Sequence, residues 1–71
     1  MRLSADFKKA ISAWLDANGQ KEAKEIHIEA FPTKIIITSY FRGTARMELL
    51  RPGGMAIKTG YYIVSELLYA K

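Results

Sequence analysis

The chain has 71 residues, 49% of them hydrophobic, no cysteine and a formal net charge of +4. This length allows one domain, residues 1–71, and the lack of cysteine excludes a disulfide-stapled scaffold. Stability must therefore come from a dense apolar core or from self-association. Because His27 is the single histidine, a structural zinc site is not expected, and no cofactor is predicted.

The first 18 residues predict one amphipathic helix over residues 4–18. Apolar side chains recur every three or four positions from Leu3 to Leu15, which is typical of a helix with one buried stripe. Ser4 is a candidate N-cap, and Gly19 can adopt the left-handed conformation that ends many helices. No apolar run is long enough to cross a bilayer and no export signal precedes the helix, so a cytoplasmic protein is expected.

Three strands are predicted after this helix. Residues 25–30 alternate strictly between polar and apolar, residues 34–41 are rich in isoleucine and aromatics, and residues 44–50 alternate again. Arg42-Gly43 suits a two-residue hairpin turn, although arginine is not the preferred first residue and a longer loop is an alternative. The hairpin of residues 34–51 is the expected centre of the fold.

A two-residue turn predicts which side chains of the sheet face the core. The predicted core face of the hairpin consists of Ile36, Thr38, Tyr40, Ala45, Met47 and Leu49. The predicted exposed face consists of His27, Phe31, Ile35, Ile37, Phe41, Arg46 and Leu50. An exposed apolar area of that size usually marks an interface.

The end of the chain predicts a second helix over residues 60–70, with Thr59 as its N-cap. Residues 55–57 are either a short fourth strand or the lead-in to this helix. The predicted fold class is α+β, in the order α-β-β-β-(β)-α. It has an antiparallel three- or four-stranded sheet with two helices packed on one face.

The sequence predicts a binding module rather than an enzyme. No Ser/His/Asp or Cys/His set is present, and the seven acidic residues are scattered. Residues 34–71 carry six basic residues against two acidic ones, which accounts for the whole net charge. Such a basic half-domain favours phosphate-bearing partners. The candidate nucleic-acid-binding residues are Lys34, Arg42, Arg46, Arg51 and Lys58, with aromatic side chains to stack on unpaired bases.

Two resemblances point to the same class of partner. The helix, three strands and helix resemble, as a topology, double-stranded-RNA-binding domains over nearly the whole chain. Those domains carry a lysine cluster where the last helix opens, and the stretch GMAIKTGYY offers Lys58 alone. The segment GMAIKTGYYIVSELL is similar to single-stranded-DNA-binding transcriptional coactivators, in which a short strand leads into the helix. Both resemblances imply a nucleic-acid ligand.

Two other functions remain open at this point. The first is a protein–protein interaction module, for example a regulator or inhibitor of the kind that phages and plasmids encode. The second is a homodimeric structural domain whose sheets stack. In both cases the predicted interface residues are Phe31, Ile35, Ile37 and Phe41. No membrane partner is expected.

Overall fold

A computed structural model describes residues 5–51 and 56–69 of the chain. It confirms the α+β prediction, with two helices and a four-stranded antiparallel sheet. The elements are α1 (Ala5–Ala17), β1 (Glu25–Ala30), β2 (Lys34–Ser39), β3 (Ala45–Leu50), β4 (Gly60–Ile63) and α2 (Val64–Tyr69). In the part of the chain described, no helix is long and apolar enough to cross a membrane.

The first helix forms as its sequence pattern predicts. Phe7, Ile11 and Leu15 are buried on one stripe and belong to the main core cluster. Gly19 has a φ of 66°, and its N–H donates to the carbonyl of Asp16, while the N–H of Gln20 donates to the carbonyl of Leu15. These two bonds form a Schellman motif that satisfies the last carbonyls of α1. The predicted cap Ser4 lies outside the described residues.

The sheet has the strand order β3-β2-β1-β4, so β3 and β4 are its edges. Its inner face packs against both helices. The core joins inner-face isoleucines to side chains of α1, α2 and the segment before β4. Its fully or nearly buried members are Phe7, Ile11, Leu15, Ile26, Ile28, Ile35, Ile37, Ile57, Val64 and Leu67.

The predicted assignment of Ile35 and Ile37 to an exposed face is wrong. Both side chains are 0% exposed, and they lie on the inner face opposite Leu49 and Met47 of β3. Ile36 instead lies on the other face. The reason is loop length, because shifting a strand pairing by one residue moves every side chain to the opposite face.

The connection between β2 and β3 is the longer loop rather than the two-residue turn. The last pair of the hairpin is Ser39 with Ala45, so residues 40–44 form the connection. Arg42 and Gly43 both have positive φ, at 52° and 110°. This loop removes Tyr40 from the predicted core face, and its side chain is 59% exposed.

A buried polar contact anchors the end of this hairpin. The Ser39 hydroxyl, which is 0% exposed, donates to Oε1 of Gln20 at 2.7 Å. Gln20 is itself buried directly after α1, and its amide donates to the carbonyl of Asn18. The pair therefore ties the C-terminal end of α1 to the end of β2.

The chain before α2 differs from the prediction. Residues 60–63 form β4, which pairs with β1, and α2 begins only at Val64. Residues 56 and 57 are not strand, and Met55 lies outside the described residues. Thr59 does not cap a helix, because its hydroxyl accepts the N–H of Ala30 at 2.9 Å. It thereby helps to hold the segment leading into β4 against the end of β1.

Candidate interaction surface

The face of the sheet opposite the helices is covered by no described element, and we refer to it as the outer face. Its strand residues are Glu25, His27, Glu29, Lys34, Ile36, Thr38, Arg46, Glu48, Leu50, Tyr61 and Ile63. These side chains lie in cross-strand rows because directly paired residues point to the same side. The rows determine which charges and which apolar groups are neighbours.

One row crosses the whole sheet and contains Tyr61, His27, Thr38 and Arg46. The rings of Tyr61 and His27 are in contact, with centroids 4.6 Å apart and planes tilted by 44°. Tyr61 remains 64% exposed. This row therefore presents an aromatic group at the β4 edge and a cation at the β3 edge.

The next row places Ile36 between two carboxylates. Glu29 on β1 and Glu48 on β3 are its direct cross-strand neighbours. Ile36 is only 5% exposed although it lies on the outer face. The strand residues of the outer face carry three glutamates against one lysine and one arginine, so this surface has no excess of positive charge.

A third row contains Lys34, whose charge has two neighbours. Its Nζ lies 3.9 Å from Oε1 of Glu48 and 5.6 Å from the centroid of the Phe31 ring. Leu50 is the cross-strand partner of Lys34 and is 86% exposed. Lys34 therefore has an acid and apolar side chains as neighbours.

The structure does not bring the five candidate nucleic-acid residues together. Arg42 and Arg46 lie at the end of the sheet where β2 leads into β3. Lys34, Arg51 and Lys58 lie at or beyond the opposite end. Because a strand rises about 3.4 Å per residue, the Cα atoms of Arg46 and Arg51 are about 17 Å apart.

Arg51 has a structural role in this arrangement. Its Nη1 donates to the carbonyl of Phe31 and its Nη2 to the carbonyl of Ile57, both at 3.1 Å. Its backbone N–H also extends the hairpin ladder by donating to the carbonyl of Thr33. One guanidinium thus joins the β1–β2 turn to the segment that leads into β4.

The β2–β3 loop, residues 40–44, is an aromatic and cationic projection. The Arg42 guanidinium lies 5.1 Å from the centroid of the half-buried Phe41 ring. Tyr40 is exposed in the same loop. Arg46 lies on β3, two residues after the loop ends. This cluster is smaller than the predicted surface but keeps its basic and aromatic character.

Of the four predicted interface residues, Phe31 and Phe41 retain accessible surface. Phe31 is 37% exposed beside the outer face, whereas Ile35 and Ile37 are core residues and offer no surface to a partner. Sequence reasoning missed Tyr61 and Ile63, which are 64% and 43% exposed on β4. The β-forming residues Tyr61, Tyr62 and Ile63 were the available indication of a strand.

Groups suited to metal binding are not clustered in residues 5–51 and 56–69. No three His, Cys, Asp or Glu side chains among them lie close enough to hold an ion. A groove of about 280 Å³ lies between the helices, lined partly by Ser12, Asp16, Lys21 and Ser65. These residues do not form a recognisable nucleophile–base arrangement.

No family model matches this chain, and no curated protein or solved structure matches it.

Proposed function

We propose that this protein is a non-enzymatic binding module that contacts a protein partner through the outer face of its sheet. The observation that carries the proposal is the composition of this face around Tyr61 and Ile63. Both are apolar groups exposed on β4, and they are paired directly with His27 and Glu25 of β1. Exposed apolar groups surrounded by charged ones are typical of protein interaction sites.

The charges favour a polypeptide over a nucleic acid at this face. Glu29 and Glu48 flank Ile36 in the middle row, and Glu25 lies beside Ile63. A phosphate backbone laid across the sheet would meet these carboxylates, and like charges repel each other. A protein surface with apolar side chains flanked by lysine or arginine would complement both the apolar groups and the acids.

Position-specific crosslinking tests this proposal. A photo-crosslinking amino acid in place of Tyr61 is expected to capture a partner in cells, whereas the same group at exposed Ser12 on α1 is not. The partner, once identified, should bind the purified protein, and Tyr61→Asp should weaken binding by about thirtyfold or more, as for a central interface residue. Equal capture from both positions, or unchanged affinity of the Tyr61 variant, would overturn the assignment.

A second candidate function, nucleic-acid binding, is supported by the loop of residues 40–44. Tyr40 and Phe41 could stack on unpaired bases, while Arg42 and Arg46 could contact phosphates from the same end of the sheet. The supporting observation is that these aromatic and cationic groups occur within seven consecutive residues, outside the acidic middle row.

Affinity for a short single-stranded oligonucleotide tests the second candidate. Binding measured by fluorescence anisotropy should fall steeply as salt rises, because phosphate contacts release counterions. Tyr40→Ala should weaken it by about fivefold to a hundredfold, as for loss of a stacked base. Arg42→Ala should also weaken it and should reduce the salt dependence, as for loss of a phosphate contact. Lys9→Ala, on the exposed side of α1, is the matched control and should leave affinity unchanged. Absence of binding at low salt would eliminate this candidate.

A further inference from the structure

We infer that β3 pairs antiparallel with β3 of a second copy about a two-fold axis, so that two sheets join into one of eight strands. β3 is an edge strand of six residues, and its register with β2 runs without a bulge from Ala45 to Leu50. It contains no proline or lysine, the residues that commonly protect edges from pairing. The opposite edge, β4, has only four residues.

The pairing with β2 determines which backbone groups of β3 point outward. The N–H of Arg51 donates to the carbonyl of Thr33, which marks this pair as hydrogen-bonded. Hydrogen-bonded and non-hydrogen-bonded pairs alternate in antiparallel sheets. The backbone N–H and C=O groups of Leu49 and Met47 therefore also form hydrogen bonds with β2. Arg46, Glu48 and Leu50 therefore direct their N–H and C=O groups away from β2, towards the free edge.

Side-chain charge then selects one register for the second strand. Two registers place the outward N–H and C=O groups of one β3 opposite those of the other and retain five residue pairs between the two strands. One of them places Glu48 directly opposite Glu48 of the second copy, which is repulsive. The other places Arg46 opposite Glu48 of the second copy, and the two-fold axis repeats this pair. Only the second register makes the edge complementary to itself.

The selected register is also compatible with the neighbouring side chains. Met47 faces Met47 of the second copy across the axis, and Ala45 faces Leu49. All three side chains are half-buried in the single chain, so a second copy would cover apolar surface that the helices leave open. Glu48 and Lys34 are 58% and 44% exposed in their 3.9 Å contact, which leaves the carboxylate accessible to a second cation.

Such a dimer is independent of the proposed function, because it uses the β3 edge and leaves Tyr61 and Ile63 on the opposite edges free. It would present two copies of the outer face side by side on one continuous sheet.

Light scattering of the wild-type protein and of variants with reversed charges on β3 tests the inference. The wild-type protein is expected at about 16 kDa, twice the 8.0 kDa of one chain. Arg46→Glu and Glu48→Arg should each raise the dimer dissociation constant by about tenfold or more, since each replaces two attractive pairs with repulsive ones. The double exchange Arg46→Glu/Glu48→Arg should restore the dimer. Lys9→Glu, which makes the same charge change on α1, should have no effect.

Disulfide trapping provides a second readout that does not depend on the charges. The chain has no cysteine, so a single substitution introduces the only thiol. Met47→Cys should crosslink rapidly to itself on mild oxidation, because non-hydrogen-bonded pairs bring Cα atoms to about 4.5 Å. Ala45→Cys should not, because it faces Leu49. An 8 kDa species at all concentrations, or faster crosslinking of Ala45→Cys, would overturn the inference. If Tyr61→Asp loses partner binding but still forms the dimer, the result supports the proposed function and leaves the β3 dimer intact.

Discussion

Replacing Ile37 with alanine is expected to lower the free energy of unfolding by about 2–5 kcal/mol. Ile37 is 0% exposed and lies in a central strand, between Ile28 of β1 and Met47 of β3. Truncation there removes apolar contacts and leaves a cavity that the sheet cannot easily close. A domain of this length has a total stability of roughly 4–10 kcal/mol, so the substitution should remove a large part of it.

Urea denaturation followed by the fluorescence of Trp14 measures this change, because Trp14 is the single tryptophan and packs against the core. Leu50→Ala is the matched control, since Leu50 is 86% exposed and its truncation should change stability by no more than about 0.5 kcal/mol. If both variants were equally stable, the hairpin register that turns Ile37 inward would be incorrect.

Arg51→Ala is expected to destabilise the protein by about 1.5–3 kcal/mol, the range for hydrogen bonds to charged groups. The guanidinium bridges the carbonyls of Phe31 and Ile57, and alanine supplies no donor to either. Arg51→Lys should recover only part of the loss, because a single ammonium group lacks the planar fork that reaches both carbonyls. The same urea denaturation provides the measurement.

Arg42→Ala is the appropriate comparison for Arg51. Arg42 lies over the Phe41 ring in an exposed loop, and such a contact contributes about 0.5–1 kcal/mol at an exposed site. A larger stability loss for Arg42→Ala than for Arg51→Ala would contradict the structural role of Arg51. The comparison also matters for any binding assay, because an Arg51 variant that loses affinity would do so partly through a weakened fold.

The parts of the fold that sequence alone predicts are those determined by near neighbours. The three- and four-residue spacing of Phe7, Ile11 and Leu15 is sufficient to predict α1 and its buried stripe. Gly19 ends the helix because glycine, which has no Cβ, adopts a φ of 66° without strain. The strict alternation of residues 25–30 likewise predicts β1 with the bounds that the structure shows.

Residues 60–64 could not be assigned from local preference. The stretch GYYIVSELL contains β-formers followed by helix-formers, and periodicity did not identify the boundary between them. β1 has an edge that accepts the backbone of Gly60–Ile63, and this pairing makes the segment a strand. Tyr61 and Ile63 thereby reach the outer face, which is why the candidate site was only partly predicted.

Local sequence patterns are sufficient for the fold class, the first helix, the first strand and the excess of basic residues near one hairpin. Tertiary contacts determine which side of β2 is buried, because three consecutive isoleucines give no preference. The outcome depends on the five-residue loop and on the hydrogen bond from Ser39 to Gln20. The folded arrangement also determines where the charges lie. Arg42, Arg46 and Arg51 are close in sequence, but the extended β3 separates Arg51 from the other two by the length of the sheet, with Glu48 between Arg46 and Arg51.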